Sequence, residues 1–238
     1  MTKKIVVIFL MAMVVLFCGT VWAGEKKGIV SFTFDDDWRS QFSIAFPVLA
    51  KYGFVGTVYI YTDAVENNWP GYMTVEQLAL LKKSSWEIGS HTKSHSSLTS
   101  LETIKQEEEL IESQNFLSRF GPIKTLSFPY RHFNEETLKL AEKHYGSFKS
   151  AEHKKINLRP FPRFLNDFEI NSHTKLEEIE IFLKEAVRKD GWLILTFHEF
   201  ESESEYSISQ KFLGEICEMV KKSGASVKTV SESFEEER

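Results

Sequence analysis

The sequence predicts a single α/β domain built on a mainly parallel sheet, and three observations support this prediction. Short β-rich segments alternate with longer segments of helical period about seven times, which is the order expected when each parallel strand is followed by a helix. A glycine follows most of the helical segments, as at Gly53, Gly121 and Gly191. A chain of 238 residues, 42% of them hydrophobic, can form one packed core and is short for two domains.

The predicted strands and helices follow one another in a regular order. Periodicity alone does not decide whether the sheet closes into a barrel. Phe32, Phe34 and Phe197 are predicted core residues of their strands. The strand segments are GIVSFTF (28–34), VGTVYIY (55–61), WEIGS (86–90), IKTLSF (123–128), SFKSA (147–151), the region 158–165, WLILTF (192–197) and ASVKTV (225–230), and the helical segments are 41–52, 75–83, 101–120, 135–144, 175–189 and 209–222.

The amino terminus has the pattern of a secretory signal peptide. Two lysines precede an unbroken apolar run at 5–17, and small residues end the segment at Ala23. This pattern predicts a signal peptide over 1–23, cleaved after Ala23, and a mature domain over 24–238 that is secreted or periplasmic. An uncleaved membrane anchor is the alternative, because the apolar run is nearly long enough to span a bilayer. Only in that case would we expect contact with a membrane.

Charge and cysteine content exclude several classes of partner and cross-link. The net charge is −5, and removal of 1–23, which contains two lysines and no acid, changes it to −7. Because nucleic-acid phosphates attract basic proteins, no nucleic-acid partner is expected. Cys217 is the only cysteine after residue 23, so the mature chain has no internal disulfide, and its helical apolar context predicts a core position. We expect a monomer.

Four predicted strands are followed by polar residues that packing does not explain. In parallel α/β proteins the carboxyl ends of the strands share one edge, where their loops converge. Like charges brought together without a partner are destabilising, so a bound cation is the simplest physical reason for such a cluster. The residues concerned are Asp35, Asp36 and Asp37 after the first strand, HTKSH (91–95) after the third, Pro129, Tyr130 and Arg131 after the fourth, and His198 and Glu199 after the seventh.

Two imidazoles and one carboxylate form a donor set that suits catalytic zinc, with coordination positions left for water and substrate. Alternate side chains of a strand point to opposite sides, so Asp35 and Asp36 are not expected to face one ion in the same way. One can bind the metal while the other performs different chemistry. The same donor set suits an iron oxygenase, but helices that alternate with strands throughout fit that class poorly.

Four segments carry motifs of one family in the right order: TFDD (33–36), HTKSH (91–95), LSFPYRHFN (126–134) and LTFH (195–198). The chain therefore resembles the polysaccharide deacetylases, the NodB homology domain of carbohydrate esterase family 4, over about 29–230. The resemblance implies a distorted (β/α) barrel of about seven strands. It also implies a secreted hydrolase acting on carbon–nitrogen bonds, which converts N-acetyl groups of an N-acetylglucosamine-containing polymer to acetate and free amine.

The resemblance implies a role for each matching residue. The implied metal ligands are Asp36, His91 and His95, which would hold Zn²⁺ or another divalent transition metal that activates a water molecule. The implied catalytic residues are Asp35, which would take a proton from that water, Tyr130, whose backbone N–H would help hold the oxyanion, and His198, which would protonate the departing amine.

The sequence departs from the family pattern at three places. Asp37 stands where glycine is usual after the first motif, so the turn after the first strand is expected to be tighter or rearranged, and Arg131 stands at the usual glycine position of the third motif. The arginine that usually orients the catalytic aspartate is missing, and we hypothesise that Arg163 takes over this task. The fourth motif is hard to place, and Asp167 is a candidate for the acid that tunes His198.

Substrate predictions rest on the same resemblance. A polysaccharide or oligosaccharide is the expected partner, and an O-acetyl esterase acting on acetylated xylan is the nearest alternative. A weakly active carbohydrate-binding homologue is a second alternative, because the departures from the motifs affect the site itself. Aromatic residues near predicted strand exits or loops could stack on sugar rings: Trp38, Tyr61, Trp69, Tyr72 and Tyr130.

Overall fold

Seven parallel strands close into a barrel in the computed structural model, which describes residues 27–237. The predicted signal peptide over 1–23 and its cleavage site lie outside the described residues. Strand order follows chain order, and a continuous register between the first and seventh strands closes the ring. The strands are β1 (Ile29–Phe34), β2 (Gly56–Ile60), β3 (Glu87–Ser90), β4 (Thr125–Ser127), β5 (Ser147–His153), β6 (Phe164–Glu169) and β7 (Trp192–Phe197), with β8 (Glu199–Phe200) and β9 (Ser207–Ile208) forming a separate pair and β10 (Ser226–Val227) added to β1.

Helices surround this barrel, which confirms the predicted α/β class and the seven-stranded barrel. The described part of the chain contains no helix that is both long and apolar enough to cross a membrane. Cys217 is fully buried in the seventh helix, as predicted. The helices are α1 (Phe46–Tyr52), α2 (Thr62–Glu66), α3 (Val75–Lys83), α4 (Thr103–Leu117), α5 (Glu135–His144), α6 (Leu176–Lys189), α7 (Gln210–Ser223) and α8 (Val230–Glu235), and a π-helical turn at Gln41–Ala45 precedes α1.

Two predicted strands differ from the structure. The sixth strand begins at Phe164, not in the region of Leu158, because Pro160 and Pro162 lack the N–H that a sheet ladder requires. The last predicted strand shrinks to two residues, and Val230 begins a helix with Thr229 as its N-cap.

The outer face of the barrel is apolar and packs against the helices. Phe32, Phe34 and Phe197 are fully buried there, and their rings stack on one another. Leu49 of α1 and Leu213 of α7 belong to the same hydrophobic cluster. The predicted core positions of these three phenylalanines are therefore confirmed.

The interior of the barrel, in contrast, is partly polar. Residues on the barrel's inner face contact strands that are not their sheet neighbours, as when Lys149 of β5 meets Asp35 at the end of β1. Lower in the barrel, Glu87 accepts hydrogen bonds from Thr57 and Thr125. Burial raises the pKa of Glu87 although these bonds oppose the effect. Polar side chains thus continue from the interior up to the carboxyl ends of the strands.

Candidate active site

Polar side chains from six strands meet in one cavity at the carboxyl end of the barrel. The cavity has a volume of about 270 Å³. The prediction that the strand-end motifs converge agrees with this arrangement, because Asp35, Asp36, His91, His95, Tyr130 and His198 line the cavity, whereas Asp37 does not. The lining residues are Asp35, Asp36, His91, His95, Phe128, Tyr130, Arg131, Lys149, Ser150, Asp167, Glu169, His198 and Tyr206.

Three of these residues form a potential metal site. The Nε2 atoms of His91 and His95 lie 3.3 Å and 3.1 Å from Oδ1 of Asp36. One donor atom from each of the three lies within 4.8 Å of the others. A carboxylate oxygen and two imidazole nitrogens at such separations suit a catalytic zinc ion. The residues present therefore fit the metal that the motifs imply.

Hydrogen bonds fix the two imidazole rings. Nδ1 of His91 lies 2.7 Å from the carbonyl oxygen of Ser127, so this nitrogen donates and Nε2 is left to face Asp36. Nδ1 of His95 lies 3.1 Å from the hydroxyl of Tyr130. Burial acts to raise the pKa of Asp36, but the polar contacts with His91 and His95, together with the electrostatic influence of His91 and His198, hold the pKa well below its usual value. Asp36 is therefore ionised, as a ligand must be.

The loops that present these groups adopt left-handed backbone conformations. Asp36 and Asp37 have φ values of 71° and 45°, and His95, Tyr130 and Arg131 have values of 60°, 55° and 57°. Such values are uncommon for residues with a Cβ and concentrate at functional sites. Asp37 and Arg131 thus keep the conformation that glycine usually supplies, at the cost of backbone strain.

Asp37 is a buried structural residue of this turn. Its Oδ1 accepts a hydrogen bond of 3.3 Å from the backbone N–H of Tyr61, and its carbonyl accepts one of 2.9 Å from Met73. Burial raises the pKa of Asp37 well above its usual value. The three consecutive aspartates therefore have three different environments, and only Asp36 belongs to the metal site.

Asp35 points into the barrel and pairs with a lysine that the sequence analysis missed. Its Oδ2 accepts hydrogen bonds of 2.7 Å from Nζ of Lys149 and 3.0 Å from Oγ of Ser127. Burial acts to raise the pKa of Asp35, but the charge of Lys149, together with the influence of His91 and His198, brings the pKa below its usual value. A lysine inside the β-rich segment SFKSA was the available sequence signal.

The structure corrects the hypothesis that Arg163 orients Asp35. Arg163 donates hydrogen bonds of 3.1 Å, 2.6 Å and 3.0 Å to the carbonyl oxygens of Glu142, Tyr145 and Gly146, at the end of α5. It directly precedes β6 and so lies at the amino end of the barrel. Asp35 follows a strand and lies at the opposite end.

Asp167 lies in the cavity but contacts different groups from those expected. It forms an ion pair with Arg131 and accepts a hydrogen bond of 2.7 Å from Thr196. Arg131 also lies 3.3 Å from Glu169. Nδ1 of His198 has no hydrogen-bond partner among the described residues. The expectation that Asp167 tunes His198 by direct contact is therefore wrong.

His198 faces the metal site from the carboxyl end of β7, the strand that pairs with β1. Its Nε2 lies 4.0 Å from Oδ2 of Asp36. The side-chain amide of Gln41 donates a hydrogen bond of 2.9 Å to the carbonyl oxygen of His198, which anchors the backbone after β7. The ring of Tyr206 lies 5.2 Å from the imidazole. His198 thus lies beside the triad of Asp36, His91 and His95.

Aromatic side chains border one side of the site. We call the cluster of Trp38, Tyr61, Trp69 and Tyr72 the aromatic wall. Trp38 stacks on Tyr72 at 4.6 Å, and Tyr61 contacts both Tyr72 at 5.4 Å and the imidazole of His95 at 5.2 Å. Trp69 packs against Tyr61 and leaves 43% of its surface exposed.

Exposed aromatic residues occur at this end of the molecule. In the described chain the large aromatic side chains with high exposure are Trp69, Tyr130 and Tyr206. Trp69 belongs to the aromatic wall, Tyr130 contacts His95, and Tyr206 contacts His198. Exposed aromatic rings around a polar cavity offer flat apolar surfaces against which a ligand can pack.

Comparisons with known proteins point to one family. Residues 23–146 match the family model described as Polysaccharide deacetylase. A curated relative is YxkH of Bacillus subtilis (strain 168), named as a polysaccharide deacetylase. It is 33% identical over 116 residues, which are 48% of this chain and 41% of YxkH. The chain therefore matches less than half of that relative's length.

Solved structures share the fold. One is the Xyl-CE4 domain of a multidomain xylanase from the hindgut metagenome of Trinervitermes trinervoides, with a TM-score of 0.66 and 22% identity, covering 88% of this chain and 91% of that domain. Another is the Bc1960 peptidoglycan N-acetylglucosamine deacetylase, with a TM-score of 0.63 and 18% identity, covering 89% of this chain and 90% of that one. At sequence identities of 22% and 18%, these similarities show that the fold is shared.

Proposed function

Because the chain belongs to the polysaccharide deacetylase family, we propose that it is a metal-dependent N-deacetylase acting on a polymer that contains N-acetylglucosamine. The observation that carries this proposal is the geometry of one cavity. It combines the Asp36, His91 and His95 triad with two further titratable groups, Asp35 and His198. Hydrolysis of an amide needs an activated water, a base and an acid, and this cavity contains a candidate for each.

The chain's own residues divide the chemistry between them. A divalent metal bound by the triad would activate a water molecule and polarise the acetyl carbonyl. Oδ2 of Asp35 is occupied by Lys149 and Ser127, whereas Oδ1 has no hydrogen-bond partner among the described residues. Oδ1 is therefore the atom that accepts the proton of the attacking water. The imidazolium of His198 protonates the departing amine, since an amide nitrogen is otherwise a poor leaving group.

We place the sugar chain along the exposed aromatic rings. Trp69 and Tyr130 lie on the His95 side of the cavity, and Tyr206 lies on the His198 side. Rings on both sides of the reacting groups favour a substrate with several sugar units over a monosaccharide. The negative charge of the protein suits a neutral N-acetylated glycan.

The same proposal extends to location and oligomeric state. The pattern at 1–23 supports export, so the enzyme would act outside the cytoplasm as a secreted or periplasmic protein. We propose that it works as a monomer, because one chain supplies the triad, Asp35 and His198 in a single cavity.

Substitution of Trp69 by alanine is expected to weaken polymer binding. The loss of one exposed stacking surface, about 1.4 kcal/mol, corresponds to roughly a tenfold higher KM for long oligomers. The value of kcat should change little, because Trp69 does not contact the reacting groups. Kinetics on N-acetylglucosamine oligomers of increasing length would measure this, with Ile181→Ala, an exposed residue of α6, as the control. An unchanged KM would place the glycan elsewhere.

Acetate release tests the function itself. The purified protein, stripped of metal and then loaded with zinc, is expected to release acetate from N-acetylglucosamine oligomers, and a chelator should abolish the release. O-acetylated xylan is offered in parallel. Release from xylan alone would replace the N-deacetylase with an O-acetyl esterase. Tight glycan binding by the zinc-loaded protein without any acetate release would instead indicate a carbohydrate-binding homologue.

A further inference from the structure

Lys149 is a buried lysine in the middle of β5. Its side chain is only 1% exposed, and its Nζ lies 2.7 Å from Oδ2 of Asp35. The two residues are 114 positions apart in the chain and belong to strands that are not neighbours in the sheet. The contact therefore crosses the interior of the barrel.

The surroundings of Lys149 are built to hold a charged ammonium group. Oδ2 of Asp167 lies 3.7 Å from its Nζ, and the ring of Tyr59 lies 5.2 Å from it. The Tyr59 ring can occupy this position only because residue 89 is glycine, since a Cβ at Gly89 would lie 2.6 Å from the ring. An unpaired lysine would be costly at this depth, whereas a paired one can be retained.

A purely structural role explains this arrangement poorly. A buried ion pair usually contributes little more to stability than well-packed apolar residues of the same volume. This pair also divides the two oxygens of Asp35 unequally. Oδ2 receives hydrogen bonds from Lys149 and Ser127, while Oδ1 receives none from the described residues. Such an asymmetry fixes the rotation of the carboxylate and leaves one buried oxygen without a hydrogen-bond partner among the described residues.

The other nearby cations are already engaged. Arg131 pairs with Asp167 and Glu169, and Arg163 binds carbonyl oxygens at the far end of the barrel. Among the lysines and arginines of residues 27–237, only Lys149 forms an ion pair with Asp35.

We propose that Lys149 is the positioning residue of this enzyme, which holds Asp35 so that Oδ1 can accept the proton of the attacking water. Resting on the proposed function, this inference assigns to a lysine of β5 the orienting task that the sequence analysis gave to Arg163. Lys149 acts through Asp35 and does not contact the substrate.

Replacement of Lys149 by methionine tests the proposal in the zinc-loaded protein. We expect kcat for acetate release to fall about 100-fold, as for other losses of precise positioning, while KM and the zinc content stay at wild-type values. The matched control is Lys155→Met, a lysine just after β5 whose side chain is exposed and pairs with Glu152. It should leave all three quantities unchanged. A wild-type kcat in Lys149→Met would overturn the proposal, and so would loss of zinc in parallel with kcat.

A double variant separates positioning from general destabilisation. If Lys149 acts only through Asp35, adding Lys149→Met to Asp35→Asn should cause no further loss of kcat. Losses that multiply would overturn the proposal. Lys149→Gln, which keeps a polar donor, covers the case in which the methionine variant does not fold, and its kcat should also fall at constant KM.

A stability measurement keeps this test independent of the proposed function. We expect Lys149→Met to lower the urea midpoint of unfolding of the metal-free protein less in the Asp35→Asn background than in wild type, because the two residues interact directly. This coupling is measurable even if wild type releases no acetate, a result that would refute the deacetylase alone. Equal shifts in both backgrounds would refute the interaction of Lys149 with Asp35.

Discussion

Asp35→Asn is expected to lower kcat by about 10² to 10⁴-fold, the usual contribution of a general base. Asparagine has nearly the same shape and can still accept a hydrogen bond from Lys149 through its side-chain carbonyl. It does not take a proton at neutral pH. The metal ligands are untouched, so the zinc content should equal that of wild type, and KM should change little because the substituted group acts in the chemical step.

The adjacent aspartate offers a matched control for this experiment. Asp37→Asn makes the same chemical change two positions along the chain and keeps an acceptor for the N–H of Tyr61. Asp37 lies outside the cavity that contains the triad, so its variant should retain wild-type kcat. Acetate release by both variants, measured beside zinc content, distinguishes the two residues. If Asp35→Asn kept more than about a tenth of wild-type kcat, another group would be the base.

His95→Ala is expected to remove both the bound metal and the activity. Catalytic zinc sites usually hold the ion with three protein ligands, and this variant leaves two, Asp36 and His91. We expect zinc affinity to fall by more than about 100-fold, beyond the loss typical of a residue that only supports a ligand. His95 is the better choice for this test than His91, because the His91 ring is almost fully buried and also contacts Ser127, so its loss would disturb the fold.

Zinc per chain after dialysis is the primary measurement for this variant, with acetate release as the second. His132→Ala is the control, because His132 is exposed and its Nδ1 contacts the hydroxyl of Ser97. It should bind zinc like wild type. Retention of stoichiometric zinc by His95→Ala, with activity lost, would show that His95 serves catalysis without holding the metal.

The convergence of the strand-end residues follows from a local sequence signal. Residues that follow β-rich segments were expected at one edge of a parallel sheet, and Asp36, His91, His95 and His198 do meet there. The alternation of side chains along a strand separated the roles of Asp35 and Asp36, and the structure gives them different partners. Both inferences depend on neighbouring residues and the geometry of a single strand.

Errors arose where a contact joins distant parts of the chain. The hypothesis that Arg163 orients Asp35 is wrong because Arg163 precedes β6 and so lies at the amino end of the barrel. Asp167, the candidate for tuning His198, instead forms an ion pair with Arg131 from the turn after β4. Sequence spacing carries no information about which inward side chains face each other across a barrel.

By itself, the sequence determined the α/β class, the order of strands and helices, and the residue types that gather at the strand ends. Tertiary structure alone decided that β1 pairs with β7 and closes the ring. Closure then set which interior side chains oppose one another, and so brought Lys149 to Asp35. The physical reason is that hydrophobic period and turn residues act over a few positions, whereas strand register and closure arise from packing of the whole barrel.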